Sequence, residues 1–288
     1  MRGFVPDYEM VAPPTLGDAL RMLKDEPGVW KPFAGGTDLM VLLEAGKLDH
    51  KRYLSLSRLT ELRGIVAETP EAITVGALTT YTDVLRSSLL CAEFPLLARA
   101  ARATGSIATQ NRGTLGGNIV NASPAADSPP ALLIYDARLE LTSAGASRWV
   151  SYADFHTGYK TMILQPEEIV TRIRLARDRR HWRQSYRKVG TRKAQAISKV
   201  CFAGACALEQ ACVVEARIAF GSVAPVPVRC RGVESLLKGE RIRPSLIEEC
   251  RRKLLSEITP IDDSRSSREY RKRVAQNLLE EFLRSIDE

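Results

Sequence analysis

The six cysteines of this chain include no C-x-x-C pair, which removes the common ligand frame for zinc or an iron–sulfur cluster. Cys201, Cys206 and Cys212 come closest, yet they stand in apolar, strand-like sequence. They are expected to be small, reduced core residues, and no metal is expected in this chain. Long hydrophobic runs are also missing. Stretches such as Leu39 to Leu43 fall far short of the roughly 20 residues that span a bilayer. Met1 to Met10 carries Arg2, Asp7 and Glu9 where a secretory signal would be apolar. The expectation is a cytoplasmic protein with no membrane role. The G-x-G-x-x-G fingerprint is absent as well, so an ordinary Rossmann site is unsupported. There is no internal repeat, and the one low-complexity stretch is Ser264 to Ser267.

Charge is present but uneven. The net charge is +8, and from His181 onward 21 basic residues face 14 acidic ones. A basic C-terminal third suits an acidic partner, a nucleic acid or plain solvent. Interleaved aromatics for base stacking are lacking, so nucleic acid is not expected.

With 288 residues the chain is long enough for one large domain or two to three small ones, each with its own core. Thr15 looks like a helix cap, with Leu16, Ala19, Leu20 and Leu23 forming one apolar face to about Asp25. Val29 to Phe33 predicts a short strand and Asp38 to Glu44 a helix closed by Gly46. Tyr53 to Ser57 predicts the next strand. Gly64 to Ala67 and Ala72 to Ala77 predict an antiparallel hairpin. Helices follow at Thr82–Ser87 and Glu93–Thr104, and strands at Arg138–Thr142, Arg148–Ser151 and Glu168–Leu175. Beyond Arg177–His181 come strands at Ser185–Val189, Val200–Glu209 and Val213–Gly221. Proline-punctuated sequence then leads to helices near Ser245–Ser256 and Ser267–Ile286. The expected class is α+β: a small α/β unit over 1–57, a larger unit with a mainly antiparallel sheet over 58–178, and a C-terminal α+β unit over 179–288.

Two glycine segments roughly eighty residues apart carry the chemistry. The first is Lys31-Pro32-Phe33-Ala34-Gly35-Gly36-Thr37-Asp38-Leu39. Strand, glycine turn and helix start bring backbone amides toward a phosphate, with the Thr37 hydroxyl as a further donor. The second is Gly113-Thr114-Leu115-Gly116-Gly117-Asn118-Ile119. Thr114 offers a hydroxyl, Gly116 and Gly117 are expected to expose amides, and Asn118 can donate and accept. A doubled phosphate takes many donors, so two such segments point to a pyrophosphate clamp. Neither contains a His or Cys that could tether a flavin covalently. Asp127 suits ribose or ribityl hydroxyls, or a cap on a helix begun by Pro129-Pro130.

These segments, with Gly105-Ser106, Gln110 to Gly113, Ser123-Pro124, Asp127, Pro130, Gly158-Tyr159-Lys160 and Pro166 to Val170, resemble the FAD-binding (medium) subunit of the molybdenum hydroxylases. That is the xanthine dehydrogenase and carbon monoxide dehydrogenase family. Tyr186-Arg187-Lys188 and Ile197-Ser198-Lys199-Val200 resemble the start of its C-terminal flavoprotein domain. The resemblance covers nearly the whole chain. It implies an oxidoreductase subunit with a two-part FAD-binding domain. Pro32, Phe33, Ala34, Gly35, Gly36, Thr37, Asp38, Leu39, Thr114, Leu115, Gly116, Gly117 and Asn118 would hold the pyrophosphate, and Asp127 would meet flavin-side hydroxyls. Gly105 would lie close to the cofactor, Val170 would pack on the isoalloxazine, and Lys188 would approach its pyrimidine end. The family's flavin-stacking aromatic is replaced near Thr104, and no cysteine-rich insertion occurs. A molybdopterin-binding large subunit and a [2Fe–2S] small subunit would be partners, with NAD or another acceptor taking the electrons. No residue stands out as a catalytic acid, base or nucleophile. Two alternatives stay open: a self-sufficient FAD-dependent reductase resembling enolpyruvyl-glucosamine reductase, and a flavin-free adaptor or nucleic-acid-binding protein that uses the basic C-terminal third.

Overall fold

Three larger sheets in sequence order and one small two-stranded sheet build the molecule, which a computed structural model describes over residues 7–287. Residues 1–6, on which part of the expectation for Met1 to Met10 falls, lie outside the described residues. The first sheet is parallel, with Arg52–Ser55 between Glu9–Val11 and Lys31–Phe33. Its crossover helix, Leu16–Asp25, begins where Thr15 Oγ1 accepts the amide of Asp18 at 3.1 Å. Ala19, Leu20 and Leu23 from that helix pack with Trp30, Leu54, Leu56, Leu59 and Leu62. Leu78 and Ile169, from the next unit, close this core from below.

The second sheet is antiparallel and runs Ile65–Glu68, Ala72–Gly76, Ile169–Ala176, Arg138–Thr142, Ser147–Ser151. Ile73, Val75, Leu139, Leu141, Ile173 and Leu175 alternate onto the face that helices cover. The helix expected over Glu93–Thr104 is found as Pro95–Ala103, and a separate helix, Ser88–Glu93, precedes it across a break at Phe94. A residue before proline is pushed out of the helical region, and Phe94 sits at φ −125°, ψ 59°. A short hairpin, His156–Gly158 with Thr161–Met162, was not legible in the sequence.

The third sheet is antiparallel, Arg183–Val189, Val200–Glu209, Cys212–Gly221, Val228–Arg229. Its long central strand has two faces set by period-2 alternation. Val200, Phe202 and Cys206 face the helices Pro244–Leu255 and Arg268–Asp287. Cys201, Ala203 and Ala205 face the second unit. Their small side chains let the helix Pro129–Ile134, all six of whose residues are buried, lie between the two units. A further helix, Arg231–Leu237, occupies sequence expected as linker. At the seam, Asp136 holds a left-handed φ of 46° and collects three arginines. Arg179 reaches it at 2.5 Å, Arg217 at 3.5 Å, and Arg229 donates to its other oxygen.

Candidate functional site

The two glycine segments touch. A methyl carbon built on Gly35 would overlap the carbonyl of Arg112, and one on Gly117 would come within 3.8 Å of Ala34 Cβ. Gly35 therefore serves close approach of backbone to backbone. Gly36 serves conformation: its φ is +72°, and a side chain there would also strike the Phe33 ring. That ring stands edge-on to Tyr53 at 6.0 Å, anchored in the first sheet. Pro32 belongs to the same strand, and Leu39 opens the helix Leu39–Glu44. Among the described residues, none accepts a backbone hydrogen bond from the amides of Gly35, Gly36, Thr37 or Asp38. Asp38 makes no side-chain cap either. Gly35 and Gly36 are half-buried while Thr37 and Asp38 are exposed, and half-buried amides without partners are costly unless something accepts from them. The first segment thus fits an anionic, many-acceptor group.

The second segment differs from its expected form. It is the start of a helix, Leu115–Val120, capped by Thr114, whose Oγ1 accepts from the Gly117 amide at 3.0 Å. The Leu115 amide goes to Thr79 O at 3.0 Å, Gly116 to Ala77 O at 2.8 Å, and Asn118 to Thr114 O at 3.0 Å. Gly116 is buried, and a Cβ there would sit 2.7 Å from that of Ala77. Its glycine serves packing, and its amide is spent inside the fold. Gly117 is exposed, and the Thr114 hydroxyl and the Asn118 side chain retain hydrogen-bonding capacity.

A second group lies at the seam with the third sheet. Asn118 Oδ1 accepts from Ser128 Oγ at 2.5 Å. Next to it, Asp127 is buried, with Oδ2 on Lys188 Nζ at 2.7 Å and Oδ1 on Ser198 Oγ at 2.7 Å. It does not cap the helix that follows, since Ser128 is the cap position and no side-chain cap bond forms. Burial holds the Asp127 carboxyl above its ordinary range, against the opposing pull of Lys188 and Ser198. Lys188 also donates to Ala103 O at 2.9 Å, two residues before Gly105. Gly105 takes φ +55° and accepts the Gln195 amide at 3.1 Å. Val170 is 4% exposed, beside a bulge in its strand. The Thr171 carbonyl at that bulge takes the Ala77 amide at 2.9 Å, which links Val170 to the strand end that receives Gly116.

Two residues outside the expected set lie by the glycine helix, Lys160 beside Asn121 at its end and His156 behind it. Lys160, at φ +58°, donates to Asn121 O at 2.8 Å and Oδ1 at 2.7 Å. Burial lowers its pKa, Asp38 opposing and Lys31 adding to the fall. Its signal was the Gly158-Tyr159-Lys160 stretch. His156 stacks edge-on against Tyr152 and Phe155 behind the glycine helix, with Nε2 donating to Ile119 O at 2.8 Å. Burial pulls its pKa down, and the Ile119 bond opposes that.

Comparison with known proteins fits this geometry. Residues 6–177 match the family described as FAD binding domain in molybdopterin dehydrogenase, and residues 184–286 match the CO dehydrogenase flavoprotein C-terminal domain. The chain is 31% identical to the xanthine dehydrogenase FAD-binding subunit of Escherichia coli O157:H7, covering 93% of this chain and 92% of that one. It is 32% identical to the glyceraldehyde dehydrogenase medium chain of Sulfolobus acidocaldarius, over 96% of both. Its fold superposes on a carbon monoxide dehydrogenase chain from Hydrogenophaga pseudoflava with a TM-score of 0.92, at 25% identity and 96% coverage of each.

Proposed function

This chain belongs to the FAD-binding (medium) subunit family of the molybdenum hydroxylases, and from that premise we propose that it passes electrons from a partner's iron–sulfur clusters, through FAD, to NAD or another acceptor. The observation that carries the reading is the contact of Gly35 with the Arg112 carbonyl, which joins two segments far apart in sequence into one rim. Bound FAD supplies the redox chemistry itself.

The residues supply binding and electrostatics. Unpartnered amides from Gly35 to Asp38 receive pyrophosphate oxygens, with the Thr37 and Thr114 hydroxyls and Asn118 beside them. Lys160, tethered by Asn121, adds positive charge at the same rim. Pro32, Phe33, Ala34 and Leu39 shape the first wall, and Leu115, Gly116 and Gly117 the second. Asp127 meets flavin-side hydroxyls through the lone pairs that Ser198 and Lys188 leave free. Gly105 and Val170 would help hold the flavin, and Lys188 would supply a cation that favours the negative charge of its reduced form.

The domain limits proposed are 1–57, 58–178 and 179–288. A molybdopterin-binding large subunit and a [2Fe–2S] small subunit complete the enzyme, which works in the cytoplasm. The family names of the relatives, subunit and medium chain, favour such an assembly. Among the described residues, no helix is long and apolar enough to cross a membrane.

The test is direct. The chain is expressed with and without its two partners, and its cofactor is released by denaturation and chromatographed. Free FAD is expected, together with co-purification of both partners and no hydroxylation by the isolated chain. Release of FMN alone, flavin that stays attached, or hydroxylation by the metal-free chain would sink the proposal.

A further inference from the structure

The Asp127–Lys188 pair is held by a run of hydrogen bonds that starts in the C-terminal helix. Arg271, 3% exposed, donates to Lys199 O at 2.6 Å and to Ser222 O at 3.0 Å. Its other terminal nitrogen donates to Asp263 Oδ1 at 2.8 Å. Ser222 Oγ donates to Ser198 O at 3.0 Å, and Ser198 Oγ donates to Asp127 Oδ1 at 2.7 Å. From the opposite side, Tyr186 OH donates to the Asp127 carbonyl at 3.0 Å. The main chain of Asp127 is therefore pinned, and the rotation of its carboxylate is the freedom that remains. Ser198 is 1% exposed, so no water would replace its hydroxyl easily. Without it, Oδ1 would be a buried anionic oxygen lacking a donor, which is costly. The carboxylate would turn, and the ammonium bonded to its other oxygen would turn with it.

We propose that Ser198, braced by Ser222 and Arg271, is a positioning residue that sets where the Lys188 ammonium stands relative to the flavin. This rests on the reading of Lys188 as the flavin-facing cation. It makes the third unit a means of tuning the cofactor carried by the first two.

The experiment is a double-mutant cycle read by spectroelectrochemistry on the FAD-loaded chain, using wild type, Ser198→Ala, Lys188→Met and the double variant. Lys188→Met is expected to disfavour two-electron reduction about tenfold, a fall of about 30 mV, and Ser198→Ala about threefold. In the Lys188→Met background, Ser198→Ala should change nothing further. If Ser198→Ala loses its flavin, the FAD dissociation constant serves as the readout of the same cycle. Additive effects, or no effect of Ser198→Ala where Lys188→Met has one, overturn the proposal. An unchanged potential in Lys188→Met overturns the placement of Lys188, and the proposal with it. Wild-type protein that takes up no FAD overturns the functional reading itself.

Discussion

Replacing Gly35 with alanine drives a methyl group into the backbone of the opposite glycine segment. The built Cβ lies more than 1 Å inside the 3.0 Å that real Cβ atoms keep from other heavy atoms. The obstacle is the Arg112 carbonyl, at the end of the helix Ile107–Arg112. It cannot rotate aside as a side chain would, because Gly113 is tied by its amide to Thr109 and by its carbonyl to Tyr81. Relief has to come from moving the two segments apart. Overpacking of this kind costs about 1–3 kcal/mol. If FAD requires the segments in contact, the cost falls on binding, and affinity drops roughly 5- to 150-fold. Gly35 is not among the residues with positive φ, so the alanine brings no backbone strain of its own. Gly145→Ala is the control for general damage, because that glycine has no positive φ and nothing within 4 Å of its built Cβ. Titrating FAD into flavin-free protein, followed by quenching of flavin fluorescence, measures the effect, with thermal unfolding in parallel. Gly35→Ala protein that binds FAD within twofold of wild type would refute the reasoning.

Two other outcomes follow from the seam and from the layer behind the glycine helix. Asp127→Asn strands a buried ammonium, since the two side chains are 10% and 9% exposed, and should cost about 3–5 kcal/mol in urea unfolding of the flavin-free chain. The double variant with Lys188→Met should cost less than the sum of the singles, and strict additivity would contradict the pairing. His156 has a folded pKa below its unfolded value of about 6.5. The unfolded chain therefore binds more protons between the two values, and stability is lost as pH falls through that window. His156→Gln should flatten the loss measured by urea midpoints from pH 7.5 to 5.5, and an equal slope in both proteins would rule the histidine out.

Elements with strong local periodicity are legible in the amino-acid sequence. The helix Leu16–Asp25 and the strand Val200–Glu209 coincide with their expected limits, because capping and alternation are written in adjacent residues. The cofactor was legible through the two glycine segments and their resemblance. The local role of the second segment was not. Nothing near Gly116 in sequence tells that Ala77 will take its amide, since that contact depends on a strand end about forty residues earlier. Asp127 before Ser-Pro-Pro looks locally like a helix cap, and its real partner is 61 residues away in another sheet. Ser198 and Lys160 fall in stretches that carry the family resemblance, but nothing local to either tells that Ser198 will meet Asp127 or that Lys160 will meet Asn121.

The helix Pro129–Ile134 has no solvent side, and part of its cover comes from strands more than sixty residues later in the chain. A ribosome adding ~5–20 residues per second leaves that helix uncovered for roughly 4–18 s, until Cys212–Gly221 has been made. The flavin-binding half therefore passes through a stage in which its glycine segments exist but one of its most apolar surfaces is bare. The C-terminal unit closes this stage, acting for the nascent chain as a chaperone encoded in the same message.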